Sequence, residues 1–213
     1  MIRRDTLEKR DYTRILLIRH GETVDEDTKK VFKGTIDIPL SATGISTIER
    51  VADYLKIYNL DYVYTSALSR AVESGKIIAE PHNLDIIVES RLNEIHFGQW
   101  EGLNFSEIEK LDPHFFMLWL QDPEKYTPPG GESLAHAQKR IMDKFAEIEE
   151  THRGKIIAIV AHAGVLRIII ASVFSLKLSN MFRFAQDYGC IDIVDIYEDS
   201  NAVVKLLNFR VNK

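Results

Sequence analysis

Cysteine is almost absent from this chain of 213 residues, since Cys190 is the only one. A single cysteine cannot form an internal disulfide, and it excludes a cysteine-rich zinc site. An excess of positive charge is also lacking, because 27 basic residues stand against 32 acidic ones and the formal net charge is -5. We therefore expect no nucleic-acid partner, and an anionic ligand would need a local cluster of cations.

Uninterrupted apolar runs of membrane-spanning length are lacking too. The closest is 156–174, which His162, Gly164 and Arg167 interrupt, and this pattern predicts a buried strand, a loop and a buried helix. The first 14 residues mix charges of both signs and lack the apolar core of a signal peptide. We therefore expect no membrane partner and a reducing, cytoplasmic location.

What the chain does contain is organised around one short apolar stretch. Four branched residues, Ile15 to Ile18, precede Arg19, His20 and Gly21, and they predict a buried strand that ends in a tight turn. Ligands of open α/β sheets bind beyond the carboxyl ends of such strands. There the guanidinium of Arg19 suits a phosphate, while the imidazole of His20 suits a base, a nucleophile or a metal ligand.

Two later strands end in similar groups. The strand at 61–65 leads into 66–70, where a serine marks a helix start. Arg70 then falls in the first helical turn beside free backbone amides. The strand at 155–161 ends at His162, before a glycine and another helix. A solvated helix surface is the ordinary place for a lone arginine, but the pairing of Arg70 with Arg19 at one sheet edge favours an anion site.

The loop at 91–102 supplies candidate carboxylates. Glycines and aromatic residues surround its polar groups, which is typical of an ordered loop able to place a carboxylate in a cleft. Glu94 and Glu101 are the candidates for acid–base chemistry, although exposure to solvent is the commoner fate of a glutamate. His96 has no second histidine at ligand spacing, so we do not interpret it as part of a metal site.

The alternation of strands and helices predicts an α/β fold, a three-layer α/β/α sandwich with a mostly parallel six-stranded sheet. The last two strands, at 191–197 and 202–209, read as a hairpin through 199–201. Between 104 and 121 two short helices should break at Pro113, and Ser133 should cap a helix reaching about Thr151. We expect one domain over 14–213 after a charged extension at 1–13.

Several aromatic residues lie in the loop at 91–102 or in the helices expected after it. They are core residues in most proteins, but here they could also form the wall of a substrate pocket: Phe97, Trp100, Phe115, Phe116 and Trp119.

These motifs together resemble the histidine phosphatase superfamily, which has the phosphoglycerate-mutase-like fold. The resemblance runs in order from about Arg14 to Phe209, and the later loops are most similar to those of α-ribazole phosphatases of cobalamin biosynthesis. The segments that carry it are 19–23 (RHGET), 34–44, Thr65 to Ala71, 94–102, 129–133 (PGGES) and 162–167 (HAGVLR).

The resemblance implies a mechanism. His20 would attack the phosphorus of a small phosphomonoester, while Arg19, Arg70 and His162 would stabilise the charge on the phosphoryl oxygens. Glu94 would protonate the leaving alcohol and then deprotonate water. The resemblance also implies a phosphate site that includes Thr23, Gly34 and Ala163, and a reaction without cofactor or metal ion. It leaves a homodimer open.

The chain departs from the family pattern after Thr23. A Trp-Asn pair that many members carry is replaced by Val24-Asp25-Glu26-Asp27, and Lys33 stands where glutamine usually precedes the glycine. The acids would oppose an anionic substrate unless Lys29, Lys30 or Lys33 offsets them. We favour α-ribazole 5'-phosphate as substrate, with a broad-specificity phosphatase or a phosphoglycerate mutase as alternatives and a non-catalytic binding protein last.

Overall fold

A computed structural model of the protein describes residues 11–25 and 31–211. Most of the expected extension at 1–13 lies outside these residues, as do Glu26, Asp27, Lys29 and Lys30, and the single-domain assignment stays a prediction. The first strand begins at Tyr12. Over the two described ranges, no helix is both long enough and apolar enough to cross a membrane.

Strands and helices alternate along the chain as the sequence predicts. The strands are β1 (Tyr12–Arg19), β2 (Tyr62–Thr65), β3 (Ile86–Val88), β4 (Ile156–Ala161), β5 (Ile191–Tyr197) and β6 (Ala202–Phe209). The helices are α1 (Ala42–Leu55), α2 (Ser69–Ala79), α3 (Phe105–Leu111), α4 (Pro113–Gln121), α5 (Leu134–Thr151) and α6 (Ala163–Val173).

The six strands form one sheet in the order β3-β2-β4-β1-β5-β6. β3, β2, β4 and β1 pair in parallel, whereas β5 and β6 add an antiparallel hairpin to one side. The prediction of a mostly parallel six-stranded sheet is therefore confirmed. β1 and β4 lie at its centre, with Arg19 opposite Ala161 in the register, so the residues that follow these strands emerge side by side.

The sheet separates two layers of helices. Alternate residues of β1 point to opposite faces. Leu16 and Ile18 join the cluster that includes α1 and α2, and Ile15 and Leu17 join the cluster formed with α5 and α6. All four side chains are fully buried, which explains why the sequence shows a continuous apolar run rather than an alternating pattern.

Four of these six helices begin at a residue whose side chain caps them, and α2 and α6 do not. Ser133 caps α5 through its side chain, as expected, and Ser41 caps α1 in the same way. A serine cap was also expected for α2, and this is wrong: its N-cap is Leu68, whose side chain makes no cap hydrogen bond. The Asp37 carboxylate instead accepts hydrogen bonds from the Ser69 backbone N–H at 2.8 Å and hydroxyl at 2.7 Å.

The predicted break at Pro113 is present between α3 and α4. These helices enclose a separate aromatic cluster in which Trp100, Phe116 and Trp119 are 4%, 3% and 2% exposed. Those three side chains are therefore core residues, as aromatic residues are in most proteins. Phe97 and Phe115 are only partly buried.

Candidate active site

The carboxyl edge of the sheet gathers the predicted site residues. His20 follows β1 and His162 follows β4, and because these parallel strands are neighbours the two imidazole rings lie with centroids 5.0 Å apart. Arg70 comes from the first turn of α2, after β2 on the other side of β4. Residues about 140 positions apart in the sequence thus share one site because of strand order.

His20 is held as a neutral base. Its ring is 3% exposed, and its Nδ1 lies 2.6 Å from the Gly21 carbonyl oxygen. A carbonyl only accepts, so Nδ1 carries the proton and the lone pair is on Nε2. Burial, followed by His162, Arg19 and Arg70, holds the pKa of His20 well below its ordinary value. The imidazole is therefore neutral and nucleophilic at neutral pH.

His162 is fully buried beside it. Its Nε2 lies 2.6 Å from the hydroxyl of Ser66, which itself accepts a hydrogen bond from the Leu68 N–H at 3.3 Å. Burial and the charges of Arg70 and Arg19 lower the pKa of His162 well below its usual value. The Ser66 hydroxyl can donate to Nε2 or accept from it, and in the tautomer where it donates, the proton of the neutral ring lies on Nδ1.

Arg19 is fixed on two sides. Its Nη1 donates to the backbone oxygen of Gln186 at 2.6 Å, and its Cζ lies 3.6 Å from the centroid of the Tyr188 ring. A guanidinium stacked on an aromatic face at this distance is held by cation–π attraction. Both partners come from the segment that precedes β5.

Arg70 is 1% exposed, which is exceptional for a cation. Its two terminal nitrogens donate to the backbone oxygens of Ile36 at 2.7 Å and Gly34 at 2.8 Å. Burial lowers its pKa from the ordinary value. The described contacts of Gly34 thus position Arg70, and the positive φ of this residue, 49°, suits a glycine.

Three buried nitrogens of these side chains have no hydrogen-bond partner in the part of the chain that the structure describes. They are Nε of Arg19, Nε of Arg70 and Nδ1 of His162. An unmet buried donor is costly, and two of these belong to cations. The charges of both arginines act on His20, and buried nitrogens of this kind suit a small anion.

Glu94 reaches the same site from the loop after β3. Its Oε1 accepts from the Ile95 N–H at 3.0 Å, and its Oε2 accepts from the Gly164 N–H at 3.2 Å. Gly164 is the second residue of α6, after Ala163, so the carboxylate lies at the helix N-terminus. A Cβ at Gly164 would lie 2.4 Å from Oε1 of Glu94, which explains the glycine.

Glu101, the other candidate carboxylate, is hydrogen-bonded to the backbone of two loops. Its side chain accepts hydrogen bonds from the Thr35 N–H at 2.8 Å and the Phe97 N–H at 3.1 Å, which ties two loops together. His96 lies 3.9 Å from Glu101 with its side chain 45% exposed. Within residues 11–25 and 31–211, no three histidine, cysteine or acidic side chains are grouped so as to bind a metal ion.

The segment after Thr23 contains a compensating ion pair. The buried hydroxyl of Thr23 donates to Asp25 at 2.6 Å, and Asp25 lies 3.3 Å from Nζ of Lys33. Lys33 also donates to the hydroxyl of Tyr188 at 2.9 Å. Of the acids expected to oppose an anionic substrate, Asp25 is therefore neutralised by Lys33.

Sequence reasoning missed three residues that shape the site. Ser66 follows β2 directly, so its position at a strand end was an available signal. Gln186 and Tyr188 lie outside any regular element and any motif, and only the tertiary structure brings them to Arg19.

Comparison with known proteins agrees with this geometry. The sequence model of the histidine phosphatase superfamily (branch 1) matches residues 15–209. The chain belongs to this superfamily. The family predicted from the motifs is therefore confirmed.

Similar proteins of this superfamily carry different names. Phosphoserine phosphatase 1 of Hydrogenobacter thermophilus is 29% identical over 91% of each chain. The adenosylcobalamin/alpha-ribazole phosphatase of Escherichia coli is 29% identical, over 92% of this chain and 96% of its own. The crystal structure of a putative alpha-ribazole-5'-P phosphatase from Escherichia coli superimposes with a TM-score of 0.84 at 29% identity, covering 94% of this chain and 98% of that one.

Proposed function

We propose that this histidine phosphatase hydrolyses a small phosphomonoester through a phosphohistidine at His20. The observation that carries the proposal is a neutral His20 imidazole beside Arg19, Arg70 and His162, each with one buried nitrogen that has no hydrogen-bond partner among the described residues. A dianionic phosphoryl group fits these donors, and it places phosphorus next to the free Nε2 lone pair.

The first step forms a bond between Nε2 of His20 and phosphorus while the bond from phosphorus to the ester oxygen breaks. Arg19, Arg70 and Nδ1 of His162 stabilise the negative charge on the three remaining oxygens. Glu94, protonated in this step, gives its proton to the leaving alkoxide.

In the second step water attacks phosphorus, and the phosphorus–nitrogen bond breaks as phosphate leaves. Glu94, now a carboxylate, accepts the proton of that water, and the enzyme returns to its starting state. The lowered pKa of His20 supports both steps, because the imidazole is a nucleophile in the first and a neutral leaving group in the second.

As substrate we propose α-ribazole 5'-phosphate. Its hydrolysis would release α-ribazole, which is a free alcohol, and inorganic phosphate. The similarity to the alpha-ribazole phosphatase of Escherichia coli supports it. Three phenylalanines in and after the Glu94 loop retain accessible surface and would suit a flat apolar base: Phe97, Phe105 and Phe115. This support is narrower than the sequence indicated, because Trp100, Phe116 and Trp119 are buried.

Phosphoserine is the second candidate. The similarity to phosphoserine phosphatase 1 favours it. The Lys33–Asp25 pair removes part of the charge that argued against a substrate with an additional carboxylate. A phosphoglycerate mutase, a homodimeric assembly and a cytoplasmic location stay predictions.

Side-by-side measurement of kcat/KM tests the substrate. We expect α-ribazole 5'-phosphate to exceed phosphoserine, phosphoglycerate and simple sugar phosphates, with release of inorganic phosphate. A preference for phosphoserine would replace the first candidate by the second. Transfer of phosphate between two positions of phosphoglycerate, without release, would contradict the hydrolase.

A further inference from the structure

The loop that carries Glu94 is bound by one arginine from α5. Arg140 lies two turns into this helix, with its side chain 17% exposed. Its Nη1 donates to the backbone oxygens of Arg91 at 2.7 Å and Asn93 at 2.8 Å, and its Nη2 donates to that of Glu94 at 3.2 Å. Three carbonyl groups within four residues thus converge on one guanidinium.

The remaining donors of Arg140 bind Glu132. Nε donates to Oε2 of Glu132 at 3.0 Å, and Nη2 donates to Oε1 at 2.5 Å. A guanidinium has five N–H donors, and these contacts use all five. An ammonium group has three donors and no planar fork, so lysine cannot reproduce the arrangement.

Glu132 binds the other side of the same loop. Its Oε1 accepts from the His96 N–H at 3.0 Å, and its own backbone N–H donates to the His96 oxygen at 2.9 Å. The Arg140–Glu132 pair therefore holds the chain at 91, 93 and 94 and again at 96. Glu94 lies between these hydrogen-bonded positions, so its backbone cannot shift without breaking several hydrogen bonds.

We propose that Arg140 and Glu132 are positioning residues that aim the Glu94 carboxylate at the leaving-group oxygen. The inference rests on the proposed function of Glu94. Arg140 is anchored to a rigid element, because the next residue of α5, Ile141, is fully buried in the core. Neither residue touches the reacting atoms, so both act through Glu94.

A leaving-group comparison tests the proposal. An alkyl phosphate needs protonation of its leaving oxygen, whereas an aryl phosphate such as p-nitrophenyl phosphate needs little. In Arg140→Lys, a loop displacement of about 1 Å should cost about 100-fold in kcat for the alkyl ester. We expect a much smaller loss for the aryl ester and little change in inhibition by inorganic phosphate. Glu132→Gln should shift the ratio in the same direction.

Arg14→Lys is the matched control. Arg14 also binds a carboxylate with two nitrogens, because its Nε and Nη2 donate to Oδ1 and Oδ2 of Asp195 at 2.7 Å each, with side chains 21% and 2% exposed. It lies near the start of β1, whereas the candidate site lies beyond the end of that strand. This variant should lower the thermal midpoint without changing the alkyl-to-aryl ratio.

Glu94→Gln distinguishes the general-acid role of Glu94 from its positioning by Arg140 and Glu132. If it lowers the alkyl rate selectively while Arg140→Lys and Glu132→Gln lower both rates equally or neither, the positioning proposal is overturned. If Glu94→Gln itself lowers both rates equally, the general-acid role is contradicted, and the positioning proposal falls with it. Should Arg140→Lys not fold, Glu132→Gln decides the question.

Discussion

Gly164 offers a perturbation whose size can be worked out from the structure. A methyl group added there would lie 2.4 Å from Oε1 of Glu94 and 2.7 Å from Cδ1 of Ile95. Ordinary contact requires about 1 Å more, so in Gly164→Ala the carboxylate must move by about that amount, and such a displacement costs on the order of 100-fold in rate. The three atoms nearest to the added methyl group all belong to Glu94 and Ile95.

Stability should change less than activity in this variant. Overpacking a buried site costs roughly 1–3 kcal/mol. Alanine is favoured over glycine inside a helix by about 1 kcal/mol, and Gly164 lies within α6 without a positive φ. The two effects oppose each other, so the thermal midpoint should fall only modestly.

The assay is a double-mutant cycle on kcat for an alkyl phosphate. If the added methyl group acts through the carboxylate, Gly164→Ala should cost about 100-fold in the wild-type background and far less in the Glu94→Gln background. Equal losses in both backgrounds would refute the reasoning, because the methyl group would then act on something other than Glu94. A Gly164→Ala variant that turns over at the wild-type rate would also contradict the predicted displacement of the Glu94 carboxylate.

Three further predictions concern other parts of the structure. Tyr188→Leu removes the ring that stacks on Arg19 and should raise the dissociation constant for inorganic phosphate by roughly 2- to 30-fold, while Tyr188→Phe should do less, as measured by calorimetry. Glu89, bonded to Arg91 and Lys144, has a pKa lowered to about 2, so the stability it contributes is present above pH 4.5 and is lost as pH falls toward 2. Urea titrations should show a weaker loss of stability in acid for Glu89→Gln, and an unchanged acid slope would contradict this. Finally, turnover should persist after dialysis against a chelator, and loss of turnover that one added metal restores would overturn the expectation of a metal-free reaction.

Local sequence signals were sufficient for most of the fold and for the strand-end part of the site. Ile15 to Ile18 form a central strand because both faces of the sheet are covered, and a continuous apolar run is the direct sign of that burial. His20 and His162 follow strands that pair with each other, so recognising both strand ends was enough to bring the two rings together.

The features that the sequence did not reveal depend on contacts between distant segments. The cap of α2 comes from Asp37, 32 residues before Ser69, and no residue near Leu68 signals it. Tyr188 reaches Arg19 across 169 positions, and a lone tyrosine in a loop carries no local pattern. The aromatic residues after the loop were ambiguous for the same reason, since burial of Trp119 is decided by its neighbours in space.

The central claim is that His20 carries the phosphoryl group, and rapid-quench trapping with a 32P-labelled substrate tests it most directly. We expect a burst of protein-bound label that is stable in base, lost in acid and absent from His20→Ala, with peptide mapping that places it on His20. Turnover at the wild-type rate by His20→Ala, or trapped label on another residue, would contradict a phosphohistidine at His20.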